Sequence, residues 1–211
     1  MADLLKLRQT GILAVVRAPS TESALRGAAA LLEGGVTGLE ITYSTPDAPA
    51  VIRALRAEYG DKIYLGAGTV LTRAQAEDAV DAGAEFLVSP GTVAETVTAM
   101  KATGSLVMAG ALTPTEVLTA VGLGADVVKI FPASLGGPSY FKALRGPLPD
   151  VPLMPTGGVT PGNIGEWFDA GAVAVGAGGD LCSTADLAAG RYDLVREKAL
   201  NFSAALERTL A

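Results

Sequence analysis

The stretch IYLGAGTVLTRAQAEDAVDAGAEFLVSPG, residues 63–91, holds one full structural period and the start of the next. IYLGAGTV (63–70) is almost continuously apolar, the pattern of a parallel strand covered on both faces. TRAQAEDAVDAG (72–83) is amphipathic at helical spacing. It opens on a threonine able to accept from free backbone N–H groups and closes on a glycine able to adopt the left-handed cap. EFLVSPG (85–91) then begins another apolar run. Strand, helix and strand in so short a span is the grammar of a βα repeat.

Outward from this stretch the same unit recurs over the whole chain. Further apolar runs are ILAVVRA (12–18), GLEITY (38–43), LVMAGAL (106–112), DVVKIFPA (126–133), VPLMPTGG (151–158) and AVAVGAGG (172–179), eight strands in all. TESALRGAAALLEGG (21–35), TVAETVTAMKATG (92–104), TPTEVLTAVGLG (113–124) and TPGNIGEWFDAG (160–171) repeat the helical grammar, each with threonine first. Glycines 35, 60, 83, 104, 124, 146 and 171 punctuate the helix ends. Eight βα units fill residues 1–211 as a single domain. The count favours a closed α/β (β/α)8 TIM barrel with eight parallel strands over an open doubly wound sheet. A helix over 3–10 is expected to plug the barrel bottom, and 191–208 to form the last outer helix.

Composition narrows the chemistry. A hydrophobic content of 49% against 18% charged residues fits a well-buried globular chain rather than a disordered one. A net charge of −6 leaves no basic surplus for nucleic acid. No uninterrupted apolar run approaches the roughly 18 residues of a spanning helix, so no membrane segment is expected. With Cys182 alone, no internal disulfide forms, and a reducing cytoplasm is the expected compartment. The chain has no histidine. That removes the commonest general base, the Ser-His and Cys-His pairs, and nearly every zinc site, so no metal or cofactor is expected.

Of six lysines, five fall in helices or turns, where a solvated charge is the ordinary reading. Lys129 instead lies inside DVVKIFPA, among Val127, Val128, Ile130 and Phe131. A charged amine there costs several kcal/mol to bury, so it must be paired, neutral or open to a wet cavity. It is either a structural ion pair or a desolvated amine of the kind that forms Schiff bases. Glu40, in GLEITY, is a second charge in an apolar strand. By strand parity Glu40 and Thr42 share one face, and an inward Glu40 can meet Lys129 across the barrel. PTGGVTP (155–161) and GAGGD (176–180) end the last two strands with Gly157, Gly158, Gly178 and Gly179. Loops in those ordinal positions are where barrels bind phosphate through backbone N–H groups; for either loop alone, glycines that merely turn the chain are an equal reading.

The strings LLEGG (31–35), LEIT (39–42), GAGTVLT (66–72), SPG (89–91), LTPTE (112–116), VKIFPAS (128–134), GPSYFKALRGPLP (137–149) and PTGGVTP (155–161) resemble the 2-keto-3-deoxy-6-phosphogluconate (KDPG) aldolase family nearly end to end. The resemblance implies a metal-free class I aldolase, a homotrimer of (β/α)8 barrels, that cleaves a phosphorylated 2-keto acid to pyruvate and glyceraldehyde 3-phosphate. It implies Lys129 as the Schiff-base lysine and Glu40 as acid and base. Thr69 would hold the pyruvate carboxylate, Pro90 and Phe131 would shape the pocket, and Thr156 would contact substrate hydroxyls. Arg17 matches an anion-binding arginine of some members. Two positions depart from the family pattern. Ser44 stands where some members carry an arginine, which moves carboxylate binding toward Arg17 and backbone groups. Gly179 stands where many carry a serine, which leaves phosphate to backbone donors. Asp180 resembles the sister group acting on the phosphogalactonate epimer, whereas the threonine of PTGGV favours the gluconate form. The same chemistry on that epimer or on 4-hydroxy-2-oxoglutarate, and a phosphosugar isomerase or synthase on the same barrel, are the competing readings.

Overall fold

The computed structural model describes residues 4–210. In chain order its strands are β1 (Ile12–Val16), β2 (Gly38–Thr42), β3 (Tyr64–Gly68), β4 (Phe86–Val88), β5 (Leu106–Ala111), β6 (Val127–Ile130), β7 (Leu153–Pro155) and β8 (Val175–Ala177). Every pairing is parallel, and the order runs β7-β6-β5-β4-β3-β2-β1-β8. A parallel bridge between Thr156 and Gly176 joins β7 to β8 just beyond the end of β7. The result is an eight-stranded, nearly closed (β/α)8 TIM barrel, as the eight apolar runs predict.

The helices between the strands form the outer ring. After α1 (Leu4–Thr10), which precedes β1 and packs against the lower barrel, they begin with α2 (Thr21–Glu33), α3 (Ala48–Tyr59) and α4 (Arg73–Asp81). They continue with α5 (Ala94–Ala102), α6 (Pro114–Gly122), α7 (Gly137–Arg145) and α8 (Ile164–Asp169), and end with α9 (Thr184–Ala188) and α10 (Tyr192–Leu210). Strand residues such as Ala14, Leu39, Ile41, Leu65 and Leu87 face outward into the buried layer beneath these helices. The opposite parity faces inward: Leu13, Tyr64, Phe86, Met108, Val127 and Met154 fill the lower barrel, joined by Leu7 from α1. The expected N-terminal plug is therefore present, although residue 3 of its expected span lies outside the described residues. Among the described residues no helix is long and apolar enough to cross a membrane.

Some caps differ from expectation. Thr72 and Thr113 cap α4 and α6 as read, Thr113 in a reciprocal box with Glu116. On α2 the cap is Ser20, paired with Ser23, one residue before the expected Thr21. Thr92 instead donates to the Gly110 carbonyl, and Thr160 lies ahead of an Asn163 start. Gly146 ends α7 with an ordinary helical φ of −53°, unlike Gly83 at +104°.

Candidate active site

The inward-facing residues change character toward the C-terminal mouth. Above the apolar layer, β2 presents Glu40 and β6 presents Lys129, with 0% and 3% of their surfaces exposed. Their neighbours in register make room for them. Glu40 pairs with Gly66, and Lys129 with Gly110. A Cβ on Gly68 would lie 2.0 Å from Glu40 Oε1, and one on Gly110 would lie 2.2 Å from the Pro90 backbone. The inner wall is glycine where a charged side chain or a loop must cross the lumen.

Lys129 Nζ stands 3.4 Å from Glu40 Oε1 and 5.5 Å from the Phe131 ring centroid. The ion pair expected across the barrel is thus formed, in a dry place where losing one partner would leave an uncompensated charge. Glu40 Oε2 has no hydrogen-bond partner, and neither does the buried Thr156 Oγ1. An unmet buried acceptor costs about 1–3 kcal/mol, so two of them around one lumen mark where a ligand's hydroxyls can bind.

Above the pair opens a cavity of about 520 Å³. Arg17, Thr69, Pro90, Phe131, Thr156, Gly157, Gly158, Gly178 and Gly179 all line it, while Lys129 and Glu40 are not part of its lining and Lys129 Nζ lies 5.5 Å from the ring centroid of the lining Phe131. Thr69 has φ +57°, a left-handed conformation that is strained for a β-branched residue. It brings its hydroxyl within 3.4 Å of Arg17 Nη1. Gly157 and Gly158 also have positive φ, +95° and +77°, which lets their backbone turn at the cavity wall without a side chain. Gly178 and Gly179 follow β8 on the neighbouring side.

Sequence reasoning missed Val15 as a wall residue, and it left Asp180 out of the site. An apolar residue in an apolar strand carries no signal of its own. Val15 could have been found only through its register opposite Glu40. The other nucleophile type is inert here: burial, with the charge of Asp186, pushes the Cys182 thiol up to about 12. Among the described residues no three carboxylate or thiol side chains gather as a set of metal ligands.

This geometry has close parallels. The chain is 37% identical to the 2-dehydro-3-deoxy-6-phosphogalactonate aldolase of Escherichia coli over 171 residues, 81% of this chain and 83% of that one. It is 37% identical to the 2-dehydro-3-deoxy-phosphogluconate aldolase of Treponema pallidum over 190 residues, 90% of each. A crystal structure of the KDPG aldolase of Legionella pneumophila, with pyruvate captured at low pH as a covalent carbinolamine intermediate, superposes with a TM-score of 0.85 at 30% identity. That match covers 95% of this chain and 97% of that one. The family model for KDPG and KHG aldolase matches residues 4–197, and the chain belongs to that family.

Proposed function

We propose that the chain is a class I aldolase that cleaves 2-keto-3-deoxy-6-phosphogluconate to pyruvate and D-glyceraldehyde 3-phosphate through a Schiff base on Lys129. The observation that carries the reading is the buried Lys129–Glu40 pair inside the barrel, next to the cavity-lining Phe131, with Glu40 Oε2 left without a partner. Glu40 takes a proton from the paired Lys129 ammonium, and the freed amine adds to the C2 ketone. Glu40 returns that proton to the departing hydroxyl as the carbinolamine loses water to give an iminium, leaving Glu40 a carboxylate again. Glu40 takes the proton of the C4 hydroxyl, directly or through a water, as the C3–C4 bond breaks. The bonding pair moves into the iminium, which becomes an enamine, and the aldehyde is released. Glu40 then returns its proton to C3, and water adds at C2 to free pyruvate and the amine. One carboxylate acting as base and then acid suits a chain without histidine.

The remaining roles follow from position. Arg17 and Thr69 bind the keto-acid carboxylate, Pro90 and Phe131 shape the pocket, and Thr156 contacts the substrate hydroxyls. Gly157, Gly158, Gly178 and Gly179 receive the phosphate through backbone groups. The working unit is a cytoplasmic homotrimer of single-domain chains in the central pathway that splits phosphorylated keto-deoxy sugar acids (the Entner-Doudoroff route). Two observations favour a second reading, the phosphogalactonate epimer: the E. coli relative is named for it, and Asp180 lines the cavity. Relative kcat/KM on the two epimers and on 4-hydroxy-2-oxoglutarate separates these substrates. Borohydride reduction in the presence of pyruvate, followed by intact mass, tests the chemistry. A mass increase is expected in the wild type and no increase in Lys129→Ala; full trapping in that variant would move the nucleophile elsewhere.

A further inference from the structure

Arg17 enters the cavity half-buried, and its guanidinium is held by two hydroxyls and by no carboxylate among the described residues. One of those hydroxyls belongs to Ser44, whose Oγ accepts from Arg17 Nη1 at 3.3 Å. Ser44 Oγ also lies 2.7 Å from Thr42 Oγ1. Thr42 has a single hydroxyl proton and donates it to the Val16 carbonyl at 2.9 Å. Ser44 must therefore donate to Thr42, which turns its lone pairs toward Arg17. The donors run one way, from Arg17 to Ser44 to Thr42 to the carbonyl of Val16, the residue just before Arg17. The Ala18 N–H is fixed in turn by the Thr45 hydroxyl at 3.0 Å. The end of β1 is tied to the end of β2 on both sides of Arg17, and the ring of bonds closes through the Arg17 side chain itself.

We propose that Ser44 is a positioning residue that aims Arg17 at the carboxylate of the keto acid. The inference rests on the aldolase reading above. A long arginine side chain in an open cavity loses rotamer freedom when it grips an anion; a hydroxyl that holds Nη1 beforehand removes part of that cost and leaves the remaining donors for the ligand. Ser44 is itself exposed, so it can lose its hydroxyl or gain a methyl without disturbing the core.

The test uses pyruvate, which has a carboxylate and no phosphate. In Ser44→Ala, the pyruvate concentration that gives half-maximal borohydride trapping should rise by about five- to tenfold, with the maximal yield unchanged. KM for the phosphorylated substrate should rise with it, while kcat stays within about twofold. Ser44→Thr, which restores the hydroxyl, should return half-saturation to near the wild-type value. In an Arg17→Ala background, Ser44→Ala should add nothing. An unchanged half-saturation in Ser44→Ala overturns the proposal. So does a rise confined to the phosphorylated substrate, which would put Arg17 on the phosphate, or a full effect that persists without Arg17. Wild-type protein that traps no pyruvate would instead overturn the aldolase reading, so the two failures are distinguishable.

Discussion

Among single side chains, Lys129 and Glu40 set the terms because each is buried against the other. If Glu40 served only to balance the amine, removing its charge would leave an unpaired buried ammonium and cost about 3–5 kcal/mol. If it transfers the proton, the loss falls on turnover instead. We expect Glu40→Gln to keep its fold and much of its pyruvate trapping while kcat drops by about 10²–10⁴. Melting temperature and trapping measured on the same variant decide, and a stable variant cleaving at the wild-type rate would sink the catalytic role. Both residues are legible in the sequence because a charge inside an apolar strand contradicts its surroundings. The hydroxyls of Thr42, Ser44 and Thr45 give no such warning. Serine and threonine suit turns and strand ends alike, and only the donor directions in three dimensions give these three a common purpose.

Secondary-structure elements are legible where pattern alone decides, and less so where geometry chooses among equivalent residues. All eight strands fall within the apolar runs, but Ser20 and Thr21 are both competent caps, and the path of the chain selects Ser20. The glycines inside the strands read only as small residues; their purpose emerges once the barrel closes. Gly68 is the clearest case, since an added methyl would meet the end of the Glu40 side chain. Gly68→Ala should therefore leave a folded barrel with a displaced carboxylate. Its kcat should fall by about tenfold or more while its circular dichroism matches the wild type. At the other end of the strands, Glu85 ties α1 to α3 through Lys6 and Arg56. Burial pushes its carboxyl up, but the hydrogen bonds and charges of Lys6 and Arg56 outweigh this and hold it below its ordinary value of 4.5. A carboxylate lowered by folding stabilises the fold above that value, and the contribution is lost as pH falls below it. Glu85→Gln should cost about 1 kcal/mol at pH 7, a modest figure because the site is part-exposed and screened. Melting curves at pH 7 and pH 4 should show the gap from wild type narrowing in acid; a constant gap would mean the carboxylate's charge is not what stabilises.

Across the whole molecule, the barrel is legible from the count of repeats, because eight covered parallel strands have few other ways to bury both faces. The cavity's composition is legible largely because barrels place function at the strand ends, which gives the glycine loops and Thr69 their meaning. The chemistry is expected to need no metal, since the chain has no histidine and one buried thiol. Cleavage should survive prolonged EDTA treatment, and a loss restored by a divalent ion would overturn the class I mechanism. The architecture also bears on the order of events. Leu7 and the packed layer of Tyr64, Phe86, Met108 and Met154 seal the lower barrel, and Lys129 lies just above them. On the proposed Schiff-base mechanism, the three-carbon fragment bonded to the lysine is the inner half of the split substrate, and the aldehyde is the outer half. With the lower end sealed, both halves leave by the upper mouth, so the aldehyde must depart first and pyruvate last. Pyruvate should then compete with substrate for the empty enzyme, while the aldehyde should inhibit noncompetitively, by re-entering behind a fragment that has yet to leave.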